Sequence, residues 1–309
     1  MSRRFLLLVN PAAAGGRALR RLPLATAELD RLGAPHRVVE TRGMEHAREA
    51  AAEAVAAGET VAALGGDGLL RPLIDVLKDT DSALAIMPGG RGNDLARVLG
   101  IPAGPAEAAR LAVQGSERLL DVAYVEGTPY LGIASFGFDS DANRIANDAK
   151  FVRGNLVYLY AALRALVQWK PAHFQITVDG ERHDLSGYSI AVANSQAYGG
   201  GMFVAPQAVL DDGLLDVVAT GDAPKARVLR NLPKVFKGTH LSDPSVTTFR
   251  GARIEVAADR PFEIYADGDP IGAVPSSLHV EPRCLRVIAP DGGRSPTADR
   301  ARTAPNPPS

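Results

Sequence analysis

The sequence has very little cysteine, no long apolar segment and almost no net charge. Its single cysteine, Cys284, has no internal partner, which excludes an intramolecular disulfide and a cysteine-based metal site and fits a reducing compartment. No run of about 18 apolar residues occurs without a charge, so no membrane-spanning helix is predicted. A formal net charge of -1 gives no general basic field, which disfavours nucleic acid as a partner.

The composition is otherwise that of a globular protein, with 46% hydrophobic and 22% charged residues in 309. This length suits about two domains, each able to bury a core. The apolar run Phe5–Val9 is too short for the core of a signal peptide, and we interpret it as a buried strand. A cytoplasmic protein is therefore expected.

Residues 1–120 alternate between predicted strands and helices. Strands are predicted at Phe5–Val9, His36–Glu40, Thr60–Leu64 and Ala83–Met87, with helices after each of them. This alternation is typical of an α/β domain with a mostly parallel sheet covered on both faces.

Residues 121–290 contain short β-rich runs, many of them separated by turn signals such as Asp179-Gly180 and Asp267-Gly268. They predict a β-rich, sandwich-like second domain, whose last segment is free to return to the first domain. One apolar helix is expected over about residues 156–169. The segment 291–309 has little to bury, and a disordered tail is predicted there.

Two glycine-rich loops each follow a predicted strand and open a helix, Gly65–Gly68 and Gly89–Asn93. Glycine lets backbone N–H groups approach an anion closely, and a helix amino terminus adds partial positive charge. A single loop of this kind is typical of a simple tight turn. Together with the turn after Phe5–Val9, however, both loops belong at the carboxyl edge of the sheet, where three converging loops indicate a polyphosphate ligand.

Two carboxylates, Asp67 and Asp94, lie within these loops. Beside a phosphate they would be repulsive unless Mg²⁺ or a proton transfer is involved. The structural alternative makes Asp67 a turn residue and Asp94 a helix cap. No Walker A sequence and no dinucleotide-binding glycine motif is present.

In their order along the chain, these motifs resemble the catalytic domain of diacylglycerol kinases, which bacterial lipid kinases and sphingosine kinases share. The resemblance rests on Leu8-Val-Asn-Pro11, Gly65-Gly-Asp-Gly68 and Pro88-Gly-Gly-Arg-Gly-Asn-Asp94. It continues in Tyr198-Gly-Gly-Gly-Met202 and Leu210-Asp-Asp-Gly-Leu-Leu-Asp216. It implies ATP and Mg²⁺ as cofactors, a nucleotide site in the cleft between the two domains, and phosphoryl transfer to a lipid hydroxyl.

The same resemblance implies roles for individual residues. The nucleotide would be held by Asn10, Pro11, Gly15, Thr41, Gly65, Gly66, Gly68, Gly92 and Asn93. Arg91 stands where the family has a small hydroxyl residue, and its guanidinium suits a contact to ATP phosphate. The alternative is that Arg91 fills the pocket and pairs with Asp67 or Asp94. The catalytic carboxylates would be Asp67, Asp94, Asp121 and Asp269. A structural Mg²⁺ would bind to the carbonyls of Val209 and Leu214 and to the carboxylate of Asp212, although a plain turn is the alternative there.

Several residues depart from the family pattern. Leu69 stands where a Thr or Ser is usual, Arg91 replaces a small hydroxyl residue, and Asp269 replaces a Glu proposed as base. Arg71-Pro72 falls where an Asn-Glu pair is usual. A kinase for NAD or another soluble alcohol, and a catalytically weakened nucleotide- or lipid-binding protein, therefore remain as alternatives.

The acceptor is expected to be a lipid at a membrane surface that the protein touches without spanning it. The apolar helix over residues 156–169 has two readings, a core helix or the wall of a lipid-chain pocket with Trp169 and Lys170 at the interface. A homodimer is compatible with these expectations.

Overall fold

The computed structural model describes residues 3–138, 140, 166 and 169–291. The chain divides into two compact units. The amino-terminal unit comprises the chain up to Val122 together with the segment from Pro282, and the β-rich unit comprises Ala123–Glu281. The predicted tail beyond residue 291 and almost all of the predicted helix over residues 156–169 lie outside the described residues.

The amino-terminal unit alternates strands and helices around a parallel sheet. Its elements are β1 (Phe5–Val9), α1 (Arg17–Arg31), β2 (His36–Glu40), α2 (Met44–Ala56), β3 (Thr60–Gly65), α3 (Arg71–Leu77), β4 (Leu84–Pro88), α4 (Asp94–Val98) and α5 (Pro105–Gln114). The strands pair in the order β2-β1-β3-β4, all parallel. Val287 and Ile288, near the end of the last strand, pair parallel with β4. The α/β prediction is confirmed.

Burial explains why this sheet forms. Every side chain of β1, β3 and β4 is buried, so both faces of the sheet are covered. Helix α1 packs against α5, and α2 packs against α3. The small buried residues of α2, Ala47, Ala50, Ala51 and Ala54, allow that helix to lie close to its neighbours.

The β-rich unit is built from antiparallel strands. Its elements are β5 (Ser116–Val125, which begins in the amino-terminal unit), β6 (Thr128–Tyr130), β7 (Ile133–Gly137), β8 (Ala172–Val178), β9 (Glu181–Ala193), β10 (Leu215–Gly221), α6 (Lys225–Lys237), β11 (Val246–Gly251), β12 (Arg253–Ala258), β13 (Glu263–Ala266), β14 (Asp269–Ala273) and β15 (Ser276–Ala289). The strand order β14-β13-β7-β9-β8-β12-β15 is extended by β10 and β11 from β9. This is the predicted sandwich-like architecture.

Strand β9 changes partners along its length. Its first half pairs with β8, and its second half pairs with β7 and β10. Gly187 lies at this change, where a Cβ atom would fall only 2.3 Å from the carbonyl oxygen of Thr220. The glycine therefore allows the close approach of backbone that the change of partner needs.

Two-residue hairpin turns join several of these strands. Asp179-Gly180 connects β8 to β9 and Asp267-Gly268 connects β13 to β14, with positive φ at both residues of each turn. Such turns match the twist of the flanking strands, which is why Asp-Gly favours them. Both hairpins confirm the sequence prediction.

An aromatic cluster forms part of the core of the β-rich unit. Trp169 is 5% exposed and packs on Phe138, Tyr188 and Phe262, while the guanidinium of Arg260 lies 5.1 Å from the centre of its ring. Trp169 is thus a core residue, and its alternative placement at a membrane interface is wrong. None of the helices in the described ranges is long and apolar enough to cross a bilayer.

Candidate active site

The carboxyl ends of the parallel strands bring the predicted nucleotide-binding loops together. The backbone N–H of Thr41, after β2, donates to the carbonyl of Val9 over 2.8 Å, and that of Asn10 donates to Leu64 over 3.2 Å. The N–H of Gly89 donates to the carbonyl of Gly65 over 2.7 Å. These bonds continue the strand ladder into the loops, so four loops start from one sheet edge.

The turn after β1 leads directly into helix α1. The side-chain oxygen of Asn10 accepts a hydrogen bond of 3.0 Å from the N–H of Ala12, and Pro11 lies between them. Gly15 has φ of 67°, which glycine adopts without strain, and no atom lies within 4 Å of the position its Cβ would take. Asn10, Pro11 and Gly15 therefore shape one short loop at the amino terminus of α1.

The two glycine-rich loops pack against each other through their backbones. A Cβ atom on Gly90 would lie 2.4 Å from the Cα of Gly66, and one on Gly89 would lie 3.2 Å from the backbone nitrogen of Gly65. Asn93 closes the second loop, because its side chain accepts from the N–H of Gly90 over 2.8 Å and donates to the carbonyl of Gly90 over 3.1 Å. These glycines thus have a structural role whatever ligand the loops bind.

The carboxylates of Asp67 and Asp94 lie on the two sides of Gly92. A Cβ atom on Gly92 would be 3.1 Å from Oδ2 of Asp67 and 3.0 Å from Oδ2 of Asp94, so glycine keeps this space open. Asp67 accepts from the backbone N–H of Asp94 over 3.2 Å and of Leu95 over 3.4 Å, at the start of α4. Loss of solvent around Asp67, followed by repulsion from Asp94, raises the pKa of Asp67.

Two neighbouring carboxylates of this kind fit a divalent cation. Repulsion between them disfavours the doubly charged pair, and a cation would relieve it. Within residues 3–138 and 169–291 no cluster of three or more His, Cys, Asp or Glu side chains suited to a metal is found. Mg²⁺ commonly binds only one or two protein carboxylates and completes its coordination shell with phosphate and water. A pair of carboxylates is therefore enough protein ligands for such a site.

A cation absent from the sequence prediction, Arg97, pairs with Asp94. One nitrogen of its guanidinium donates to Oδ1 of Asp94, and a second donates to the carbonyl of Gly92 over 3.2 Å. Arg97 lies three residues after Asp94 on α4, a spacing that places both on one face of the helix. That spacing was the available signal.

Arg91 does not pair with Asp94 as Arg97 does. It is exposed and forms no ion pair or hydrogen bond within the part of the chain that the structure describes. The alternative in which Arg91 neutralises Asp67 or Asp94 is therefore not what the structure shows. Its guanidinium remains available at the rim of the loop.

Two arginines of α1 also contact the second glycine-rich loop. Arg17 donates to the carbonyl of Gly90 over 3.3 Å, and Arg21 donates to the carbonyl of Pro88. Helix α1 has no acidic residue in its first turn. Positive charge therefore surrounds the loops, although sequence reasoning had assigned these arginines no role.

The residue after Gly68 is apolar and packed. Gly68 lies in the single 3-10 turn Asp67–Leu69, and the Leu69 side chain is buried against Gly65, where a Cβ would be 2.8 Å from Cδ2 of Leu69. A buried apolar side chain thus stands where the diacylglycerol kinase family usually has a hydroxyl. Leu69 cannot make the polar contact that this hydroxyl would make.

The other two predicted catalytic carboxylates lie on strands. Asp121 on β5 is fully buried and accepts a 2.7 Å hydrogen bond from the backbone N–H of Arg283, a residue with φ of 52°. Asp269 is the first residue of β14, directly after the Asp267-Gly268 turn. The carboxylate of Asp267 accepts from the N–H of Leu131 over 3.0 Å and so fixes this hairpin, a contact that the sequence did not indicate. The catalytic roles of Asp121 and Asp269 remain predictions.

The carboxylate of Asp212 forms an ion pair with a nearby arginine, Arg250. Oδ1 of Asp212 accepts from the N–H of Leu214 over 3.1 Å, and Oδ2 pairs with the guanidinium of Arg250. Arg250 also lies 3.6 Å from Asp216, a buried residue whose pKa is raised to about 6, chiefly by loss of solvent. The Mg²⁺ site around Val209, Asp212 and Leu214 stays a prediction, in which the cation would share Asp212 with Arg250.

A mainly apolar cavity of about 120 Å³ lies within the β-rich unit. Its walls come from β9, β10, the inner face of α6 and the segment around Tyr198 and Met202. Two lining residues carry buried polar atoms without a hydrogen-bond partner in the described part of the chain, Oδ1 of Asn231 and Nδ1 of His240. The cavity is close in size to engineered cavities of about 150 Å³ that bind benzene.

Comparison with known families matches both units. Residues 4–125 match the model of the diacylglycerol kinase catalytic domain. Residues 132–289 match the model described as the YegS C-terminal NAD kinase beta sandwich-like domain. The two models together cover most of the chain in the order that the fold presents.

Curated relatives and solved structures agree with these matches. The chain is 33% identical to a protein named "Diacylglycerol kinase" from Mycobacterium tuberculosis (strain CDC 1551 / Oshkosh), over 93% of this chain and 95% of the relative. It is 31% identical to a "Probable lipid kinase YegS-like" from Pseudomonas fluorescens, over 77% and 80%. A crystal structure of a putative diacylglycerol kinase from Bacillus anthracis has the same fold, with a TM-score of 0.80, 21% identity and coverage of 94% and 97%.

Proposed function

Because this chain belongs to the diacylglycerol kinase and YegS-like family of lipid kinases, we propose that it transfers the γ-phosphoryl group of ATP to the hydroxyl group of a lipid such as diacylglycerol. The observation that carries this proposal is the carboxylate pair Asp67 and Asp94 beside the paired glycine loops. Phosphoryl transfer depends mainly on positioning and charge stabilisation, and this arrangement provides both.

The loops at the sheet edge would bind the nucleotide. Backbone N–H groups of Gly65–Gly68 and Arg91–Asn93 would be the donors for phosphate oxygens, with the amino terminus of α1 and Arg17 nearby. The N–H groups of Gly89 and Gly90 are already bonded within the loops. Asn10, Pro11, Gly15 and Thr41 would contact the nucleotide from the neighbouring loops. Arg91, exposed at the rim, would add a forked cation for phosphate.

Asp67 and Asp94 would hold a Mg²⁺ ion, which when bound supplies positive charge to the phosphates. The chain's own contribution is to keep both carboxylates aimed at the space beside Gly92. The α4 backbone fixes Asp67, and Arg97 fixes Asp94. Asp121 would support this acidic network, and Asp269 would act as base by accepting the proton of the lipid hydroxyl onto a carboxylate oxygen.

The cavity beneath α6 is our candidate for the apolar part of the acceptor. Its walls are mostly aliphatic and aromatic, with Asn231 and His240 among the lining residues. A hydrocarbon segment would gain from leaving water there.

The test is ATP turnover by the purified chain against lipid alcohols in mixed micelles, with radiolabelled γ-phosphate. We expect label in the organic phase, dependent on Mg²⁺ and lost on chelation. If label appears only on a soluble acceptor such as NAD, the substrate is a soluble alcohol and not a lipid.

A second candidate function is a weakened nucleotide- or lipid-binding protein. It is favoured by the buried Leu69, which packs where the family usually has a hydroxyl. Under this alternative, calorimetry would detect ATP binding while no acceptor in the panel becomes labelled.

A further inference from the structure

Helix α6 carries an unusual concentration of positive charge. Its 13 residues include five cations and no acidic residue: Lys225, Arg227, Arg230, Lys234 and Lys237. The whole chain has 34 basic and 35 acidic residues, so this helix differs sharply from the average. Arg230, Lys234 and Lys237 form no ion pair within the part of the chain that the structure describes. Their charge is available to a partner.

The two faces of α6 have different surroundings. Val228, Asn231, Leu232 and Val235 recur at helical spacing and line the cavity. Leu229, 42% exposed, and Phe236, 49% exposed, lie with the exposed Pro233 along one edge of this inner face, on the solvent-exposed outer part of the helix. The helix is therefore apolar on its inner face, and its outer face carries an apolar stripe beside the cations.

Cations border the outer stripe on one side. Arg230 and Lys237 project about 100° around the helix from Leu229 and Phe236, so each exposed apolar side chain has a cation at the edge of its surface. The other exposed large hydrophobics of the described chain include Leu24 on α1 and Met44 on α2, and both of these helices also carry acidic residues. Only α6 among these three combines exposed apolar groups with uncompensated positive charge.

We propose that the outer face of α6 is the surface by which this protein binds an anionic lipid bilayer. The helix would lie in the plane of the interface, with Leu229, Pro233 and Phe236 inserted below the headgroups and Arg230 and Lys237 at the level of the phosphates. The inference rests on the proposed lipid acceptor, because it places this surface on the same helix that walls the acceptor cavity.

The chemistry favours a bilayer over another polyanion. A nucleic acid or an acidic protein would use the cations but would leave Leu229 and Phe236 facing charged or hydrated groups. A bilayer interface satisfies both, since phosphate groups meet the arginine and lysine side chains while apolar side chains enter the acyl region.

The test uses the full chain with extruded vesicles in a flotation assay. Vesicles containing phosphatidylglycerol should bind the protein, whereas pure phosphatidylcholine vesicles should bind it at least about tenfold more weakly, and added salt should weaken binding. Replacing Arg230→Glu together with Lys237→Glu should lower affinity about tenfold or more. Leu229→Gln together with Phe236→Gln should have a similar effect at constant charge.

Matched controls keep the test specific to α6. Leu24→Gln with Met44→Gln makes the same change in polarity on the exposed faces of α1 and α2 and should leave vesicle binding unchanged. Arg42→Glu with Arg253→Glu reverses two exposed charges outside α6 and should have little effect. Circular dichroism and thermal melting verify that each variant is folded.

Each outcome is decisive. Unchanged binding in both α6 variants, or equal losses in the controls, would overturn the proposal. Loss on charge reversal without loss on the Leu229 and Phe236 substitutions would assign the surface to a soluble polyanion instead. Vesicle binding needs no ATP, so a protein that binds through α6 but labels no lipid contradicts the proposed function alone. A protein that labels micellar lipid but ignores vesicles contradicts this inference alone.

Discussion

The glycine loops of the amino-terminal unit and the cavity of the β-rich unit are built in opposite ways. The loops are made largely of backbone, from short contiguous stretches in which Gly66 and Gly90 touch directly. The cavity is made of individual side chains from β9, β10, α6 and β11, each contributed by a different element. A backbone site depends on a few residues that nothing else can replace, whereas a side-chain site depends on volume and can tolerate changes that preserve it.

The largest effect is expected in the backbone-built site, from Asp67→Asn. Turnover should fall on the order of 10²-fold or more, because an amide cannot order a cation as a carboxylate does. The pKa of Asp67 is raised in the folded protein, so its ionisation removes stability as pH rises through that value. The asparagine variant cannot ionise there. Its melting temperature relative to the original protein should therefore increase with pH in the absence of Mg²⁺.

Radiolabel transfer and thermal melting across pH check these two expectations separately. Near-normal turnover would make Asp67 a turn residue only. A melting difference that is independent of pH would contradict the assigned pKa shift while leaving the catalytic role untouched.

Gly90→Ala tests the backbone contact itself. The added methyl group would lie 2.4 Å from the Cα of Gly66, so the loops must separate. We expect a loss of about 1–3 kcal/mol in unfolding free energy. The Michaelis constant for ATP should also rise. Gly58→Ala is the control, because its Cβ position is open and its φ of 65° confines the cost to backbone strain away from the loops. Equal effects on ATP in both variants would contradict a special role for the Gly66–Gly90 contact.

In the β-rich unit, Arg250→Met should leave Asp212 and the buried Asp216 without their shared cation. Unfolding free energy should fall by about 1–3 kcal/mol, the cost of an uncompensated polar group. Melting with and without Mg²⁺ distinguishes two cases. Restoration of stability by Mg²⁺ in the variant alone would show that the turn can hold a cation once Arg250 is gone. Stabilisation of the unsubstituted protein by Mg²⁺ bound at Asp212 would show that the metal displaces Arg250.

Val228→Trp tests the cavity, which is the site built from side chains. The larger ring would fill the cavity, so the Michaelis constant for a long-chain lipid should rise about tenfold while that for ATP stays unchanged. Val228→Ala is the matched variant, because it enlarges the cavity and should be tolerated by the lipid. If the tryptophan variant binds lipid normally, the cavity does not hold the acceptor.

The smallest effect is expected from Arg91→Thr. Arg91 is exposed and unpaired in the described chain, so it can contribute at most one screened contact to phosphate. We expect a rise of up to about tenfold in the Michaelis constant for ATP, with turnover little changed. Arg253→Thr, which changes another exposed arginine far along the chain from the loops, serves as the control. Stronger ATP binding in the Arg91 variant would mean that the guanidinium obstructs the loop.

The missed features show where sequence reasoning loses information. Helix α6 was not predicted, because Pro233 interrupts its pattern, although Gly238 in the left-handed conformation ends it as a helix cap would. Helix α5 was also missed, despite Pro105 at its first turn. In both cases the local signals conflict or are brief, and packing in the folded chain decides the outcome.

The alternation of strands and helices in the amino-terminal unit, the glycine loops and the Asp-Gly hairpins could be predicted from residue order, because they depend on local periodicity and on the backbone freedom of glycine. Three contacts could be seen only in the folded chain: Gly66 packs on Gly90, Arg97 rather than Arg91 pairs with Asp94, and Arg250 meets Asp212. Arg250 lies 38 residues from Asp212 in the chain and reaches it only because β11 pairs with β10. Arg97 lies one helical turn from Asp94, but the choice between it and Arg91 depends on how the loop before α4 folds.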